Sequence, residues 1–356
     1  MTITPDNPIG LDGFEFVEFT SPDPDAMIGL IERLGFVPTH HHPTRAVTRF
    51  KQGRTNLLVN REAQGHAAGF RALHGPSASG MAFRVADAEQ AYALALSRGA
   101  RPADAGEGAL GPNAKVLQGI GGSYLYLVDR HGDAGSLYDD WTEVPGWPEA
   151  EAANSVGLDL LDHLTHNVRR GEMRTWSSFY NQIFGFEEQK YFNIKGQATS
   201  LISQAMIAPD RAIRIPLNES EDDQSQIEEF IREYNGEGIQ HLAMTTDDIY
   251  DTVERLRARG VNLQDTIETY YELVDKRVPG HGEDLERMRR NRILIDGDVG
   301  DQGLLLQIFT ENLFGPIFFE IIQRKGNEGF GNGNFQALFE SIELDQIRRG
   351  VIKVDA

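Results

Sequence analysis

Apolar residues recur along this chain in two rhythms, and the arrangement of those rhythms is itself repeated. Within 247–259, Ile249, Val253 and Leu256 fall at i, i+4 and i+7, which predicts a helix with one core-facing stripe. Ala88, Tyr92 and Ala95 give the same stripe in the first half of the chain. Segments 200–207, 213–217, 292–295 and 303–310 are short, apolar or alternating, and bounded by Gly, Asp and Pro, the signature of strands. Leu161-Asp162-His163 begins one predicted strand, and the helix after it ends at Gly185-Phe186; Leu11-Asp12-Gly13 and Gly35-Phe36 hold the same frame earlier. A second match pairs the segment starting at His241, with its helix ending at Arg259-Gly260, with the segment starting at Gly80, with its helix ending at Arg98-Gly99. Each half is therefore predicted as two strand-helix-strands modules of α+β class. The expected domains are 1–150 and 151–356, joined across 144–154, where two prolines and a run of small and acidic residues interrupt the hydrophobic period.

Composition narrows the function. A length of 356 residues suits two domains of ordinary size. The formal net charge of −20 disfavours nucleic-acid phosphates and anionic lipid surfaces. No segment approaches a membrane span and the first residues lack a basic, then apolar leader, so a cytoplasmic protein is expected. The chain has no cysteine, so disulfides, iron–sulfur clusters and thiolate chemistry are excluded, and a bound metal would need His, Asp, Glu or carbonyl ligands.

The repeat points to where such a metal belongs. Two glycines of the first half, Gly13 and Gly80, are replaced in the second by His163 and His241. Glu320 supplies a carboxylate inside the apolar run 318–322, where an unpaired charge is expensive. A structural pair with Arg324 is the plain alternative, but four strand residues span over ~12 Å. His166 lies three residues from His163 and is an alternative ligand; the run His40-His41-His42 reads as a solvated loop tract. Aligning Gly303 with Gly122 sets Asp139 against Glu320, so the first half is expected to retain a carboxylate without imidazoles and to hold no metal. Two histidines and a carboxylate suit non-haem Fe(II), and zinc accepts the same donors. Strand parity puts Phe318 on the face of Glu320, and Gln307 and Phe309 on one face of a neighbouring strand. The glycine-rich 329–333 has too little chain after it for a dinucleotide fold and reads as a hinge before a helix over 334–349, a candidate lid.

The segments 161–167, 225–229, 238–241, 305–310, 318–324 and 329–335 together resemble the 4-hydroxyphenylpyruvate dioxygenase family of the vicinal oxygen chelate superfamily, closely in the second half and more loosely in the first. The resemblance implies two tandem open-barrel domains of βαβββ modules, a glyoxalase-like fold, and a C-terminal helix. It implies one Fe(II) per chain on His163, His241 and Glu320. Ser203, Asn218, Gln226, Gln240, Gln307 and Asn334 would line the substrate site, with Phe309, Phe318, Phe330 and Phe335 packed near the ring. Parity alone turns Gln240 away from the face of His241. The implied reaction joins 4-hydroxyphenylpyruvate and O₂ to give homogentisate and CO₂ in tyrosine and phenylalanine catabolism, in a homotetramer. Three alternatives share the scaffold: a hydroxymandelate synthase, an extradiol ring-cleaving dioxygenase, and a metal-free protein binding small aromatics.

Overall fold

A computed structural model describes residues 3–195, 200–223 and 225–334. Phe335 and the remainder of the expected C-terminal helix lie outside the described residues. The first eight strands are β1 (Leu11–Thr20), β2 (Val37–His41), β3 (Val47–Gln52), β4 (Thr55–Asn60), β5 (Ser77–Val85), β6 (Lys115–Gln118), β7 (Tyr124–Val128) and β8 (Thr142–Glu143). They form one sheet in the order β6-β7-β5-β1-β4-β3-β2-β8. A second sheet contains β9 (Leu158–Val168), β10 (Glu187–Lys195), β11 (Ser200–Ile207), β12 (Arg214–Ser220), β13 (Gly238–Thr246), β14 (Leu294–Asp298), β15 (Gly303–Phe309) and β16 (Phe318–Lys325). Its order is β10-β11-β12-β9-β13-β16-β15-β14. Read from β2 and from β10, the two orders match strand for strand through β6 and β15. In both sheets the opening strand pairs in parallel with its fourth, β1 with β4 and β9 with β12. The α+β class and the duplicated modules are as the pattern predicts.

The helices that flank the strands are α1 (Pro24–Arg33), α2 (His66–His74), α3 (Ala88–Ser97), α4 (Trp147–Asn154), α5 (Met173–Phe184), α6 (Gln226–Glu233), α7 (Ile249–Ala258), α8 (Glu268–Arg277) and α9 (Leu285–Asn291). Helix α7 begins where the Asp248 carboxylate accepts from the Asp251 amide, and it buries Ile249, Val253 and Leu256. In α3 the buried stripe is Ala88, Ala91 and Ala95 rather than one that includes Tyr92. The Tyr92 ring stands half-buried with the Lys115 ammonium 5.7 Å from its centre, an arrangement that keeps a cation hydrated at the edge. The segment expected to join the halves contains helix α4 over 147–154. Pro148 sits in the first turn of α4, where a missing amide hydrogen is harmless, and Glu151 reaches back to Lys51 at 2.7 Å. His40 and His41 belong to β2 and not to a loop.

The chain divides into two compact units, one of Met1–Ser155, Asp159–Leu242 and Asn312–Phe318, the other of Val156–Leu158, Ala243–Glu311 and Phe319–Ala356. Inside the first, Phe16, Val47, Leu58, Ala82, Val116, Tyr126, Tyr138 and Trp141 join in one buried apolar cluster. No helix among the described residues is long and apolar enough to cross a membrane.

Candidate metal centre

His163, in the middle of β9, and His241, on β13, present their rings at 76° with centroids 5.6 Å apart. In each the Nδ1 nitrogen is engaged by the preceding residue: Asp162 Oδ1 lies 2.9 Å from His163 Nδ1, and Gln240 Oε1 lies 3.1 Å from His241 Nδ1. An oxygen acceptor at Nδ1 selects the tautomer whose lone pair sits on Nε2, the form a metal requires. Asp162 is steadied by Arg214 at 3.3 Å. Glu320 is buried on β16, opposite Phe309 of β15, and accepts a hydrogen bond from Gln307 Nε2 at 3.1 Å. His163, His241 and Glu320 each offer one ligand atom, and the three atoms lie within 4.8 Å of one another. That separation and donor set fit a single divalent cation. The competing partner of Glu320 is occupied elsewhere: Arg324 Nη1 donates to the carbonyls of Asn327 and Gly329.

The other expected residues fall into distinct places. Phe318 stacks on His241 with centroids 4.8 Å apart. Ser203 pairs with Asn218 across β11 and β12. Gln240, through its bond to His241, has a role in setting the imidazole. Asn334 is buried and donates to Gln307 Oε1 at 2.8 Å, while Phe330 is half-buried and Gln226 is exposed at the start of α6. His166 is not part of the three-ligand group; its Nε2 meets the Tyr180 hydroxyl at 2.7 Å, and burial pushes its pKa down to about 3. Sequence reasoning passed over Thr165 and Asn167. Both follow His163 at steps of two, so they share its strand face, and Asn167 aligns with Asn218 in the register of β9 and β12. Ser203, Asn218 and Asn167 thus form one polar row across three strands. Asn167 is fully buried, and neither end of its amide, nor Thr165 Oγ1, has a hydrogen-bond partner among the described residues. The signal available in sequence was the two-residue step from His163.

The first sheet shows what replaces such a centre. By sheet order β7 stands where β16 stands, so the counterpart of the carboxylate-bearing strand carries Tyr124 and Tyr126, and Asp139 is exposed beyond it, accepting from the Ser136 amide. The expected match of Asp139 with Glu320 fails because setting Gly303 on Gly122 lays β15 on β7, whereas sheet order sets β15 against β6 and β16 against β7. Tyr126 donates to buried Glu18 at 2.9 Å, and Asn60 donates to the same carboxylate at 2.8 Å. A Cβ at Gly80 would meet Glu18 Oε2, Tyr124 O and Tyr126 Cε2, each at 3.0 Å, so an imidazole has no room there.

Paired sheets with this strand order, and two histidines and a glutamate gathered on the second, define a member of the vicinal oxygen chelate fold with a metal-binding group. Residues 160–273 match the Glyoxalase/Bleomycin resistance protein/Dioxygenase superfamily, and residues 5–142 match the N-terminal region of hydroxyphenylpyruvate dioxygenase. The chain is 58% identical to a 4-hydroxyphenylpyruvate dioxygenase from Pseudomonas aeruginosa, covering 97% of each, and 54% identical to the protein named hemolysin VllY from Vibrio vulnificus, covering 97% of this chain and 98% of that one. A solved structure of a mutant 4-hydroxymandelate synthase from Streptomyces coelicolor superposes with a TM-score of 0.79 at 27% identity, covering 95% of this chain and 99% of that one. The chain belongs to the 4-hydroxyphenylpyruvate dioxygenase family and is an enzyme.

Proposed function

We propose that the chain converts 4-hydroxyphenylpyruvate and O₂ to homogentisate and CO₂, using one Fe(II) held by His163, His241 and Glu320. The observation that carries this reading is the convergence of those three ligand atoms within 4.8 Å, with each histidine fixed at Nδ1 by its neighbour. Bound Fe(II) supplies a chelation point for the keto acid and a means of activating O₂. The chain's own groups do the rest. Asp162 and Gln240 hold the imidazoles, and Gln307 holds the carboxylate. Phe309 and Phe318 give the substrate ring an apolar wall that keeps water out. Ser203, Asn218 and Asn167 offer amide and hydroxyl groups to the phenol. Gln226, Phe330, Asn334 and Phe335 are assigned to the same substrate site. The domains are taken as 1–150, without metal, and 151–356, catalytic; the enzyme is taken as a cytoplasmic homotetramer.

Incubating Fe(II)-loaded protein with 4-hydroxyphenylpyruvate and O₂, and identifying the product by mass spectrometry against standards, tests the reading. Homogentisate supports it; 4-hydroxymandelate would instead make the chain a side-chain hydroxylase. His163→Ala, His241→Ala and Glu320→Ala are each expected to abolish turnover and to lower bound iron, and a fully iron-loaded, active His163→Ala protein would overturn the ligand assignment.

A further inference from the structure

Glu320 ends a chain of hydrogen bonds that starts at the far end of α8. Arg277 Nη2 donates to the Tyr270 hydroxyl at 2.6 Å, and Arg277 Nη1 donates to Asn334 Oδ1 at 3.4 Å. The Ile295 amide also donates to the Tyr270 hydroxyl, at 2.9 Å. With both lone pairs taken, that hydroxyl has one remaining function, as donor, and of the two acceptors in reach Asn334 Oδ1 at 2.6 Å is nearer than the Ile295 carbonyl at 3.2 Å. Burial pushes Tyr270 up to about 12, so its proton stays in place at any working pH. Asn334 Nδ2 then donates to Gln307 Oε1 at 2.8 Å, and Gln307 Nε2 donates to Glu320 Oε1 at 3.1 Å.

The direction of this chain is fixed at its origin, because a guanidinium has donors and no acceptor. An acceptor must face Arg277, so the Asn334 amide turns its oxygen there and its nitrogen to Gln307. Gln307 must receive that hydrogen with its oxygen and so presents its nitrogen to the carboxylate. Reversing either amide would set two oxygens face to face. We propose that Tyr270 and Arg277 are positioning residues for the metal ligand Glu320: through Asn334 they lock Gln307 in the orientation that donates to it. The proposal rests on the reading of Glu320 as an iron ligand. It also gives the start of the C-terminal segment, at Asn334, a part in setting the metal centre.

Asn334→Asp tests the link while keeping the fold, since a carboxylate still accepts from Tyr270 and Arg277 but cannot donate to Gln307. Gln307 should turn its nitrogen to the new carboxylate and its oxygen to Glu320. Fe(II) affinity, measured by chelator competition on the full chain, is expected to fall by roughly 10- to 100-fold without a lower melting temperature. The d–d absorption spectrum of the Co(II)-loaded protein should shift as well. Tyr270→Phe combined with Arg277→Met should weaken Fe(II) binding by about 10-fold or more, and should have no further effect in a Gln307→Leu background, where the last link is gone. A purely structural role would lower affinity equally in both backgrounds, and that result, or unchanged Fe(II) affinity and Co(II) spectrum in Asn334→Asp, would overturn the proposal. Failure of the underlying reading looks different: Glu320→Ala would then bind Fe(II) as tightly as the wild type.

Discussion

Replacing Asn167 with leucine separates recognition from stability. The Asn167 amide is fully buried and has no hydrogen-bond partner at either end among the described residues. A buried unsatisfied polar group costs about 1–3 kcal/mol, and an apolar side chain of similar shape removes that penalty. Asn167→Leu is therefore expected to leave the substrate-free protein as stable as the wild type or more so, by up to about 3 kcal/mol in urea unfolding. The same change removes a hydrogen bond that the substrate's phenol would make. A lost bond of about 1.4 kcal/mol is a tenfold loss in kcat/KM for 4-hydroxyphenylpyruvate. Phenylpyruvate, which lacks the hydroxyl, should lose little, so the preference between the two should shrink by about tenfold. The assay is a pair of steady-state measurements by O₂ uptake, with unfolding curves for both proteins. A destabilised variant, or equal losses on the two substrates, would refute the assignment of Asn167 to the phenol.

Gly331→Ala should destabilise the chain by about 2–5 kcal/mol in denaturant unfolding, combining left-handed strain with two lost hydrogen bonds, and should weaken Fe(II) binding; its φ is +75° and a Cβ there would fall 1.6 Å from Gln307 Oε1. Stability within ~0.5 kcal/mol of wild type would show that Gln307 yields easily. His166 is held neutral by burial, its pKa lowered from 6.5 to about 3. A depressed folded value means its stabilising contribution is complete above about pH 6.5 and declines as pH falls towards 3, by at most ~1.4 kcal/mol per unit. His166→Gln, which can still accept from Tyr180, should lose less stability than wild type between pH 7 and pH 5 when unfolding is compared at the two values.

Much of this was legible in the chain. The four glycines that close the repeated helices, Gly35, Gly99, Gly185 and Gly260, all have positive φ, from +75° to +98°; a left-handed turn admits few other residues, so those positions mark the repeat plainly. His163, His241 and Glu320 stood out because polar groups in apolar strands need a reason. Other features depend on pairing between distant strands, which no local pattern carries. Sheet order puts β7, and not Asp139, in the place of β16. Register brings Asn167 beside Asn218, and a fold-back of 330–334 lays Asn334 on Gln307. Helices α8 and α9, between 268 and 291, have no strong apolar period and went unread; α8 supplies both Tyr270 and Arg277. Local sequence also did not announce that the residues just before the two histidines, Asp162 and Gln240, each set an oxygen against an imidazole Nδ1.

The plug in the first sheet has a consequence for any attempt to give this chain a second metal. Histidine at Gly80 meets Tyr126 and Glu18 at once, so Tyr126 must be trimmed first. Trimming Tyr126 leaves the Glu18 carboxylate, completely inaccessible to solvent, with one of its two donors removed, a loss of about 1–3 kcal/mol before any ligand has been gained. Neither order of substitution improves on its starting point. The filled interior of the first half behaves as a ratchet: it is a local optimum, and the route from it towards a metal-holding interior crosses intermediates that are worse than the start.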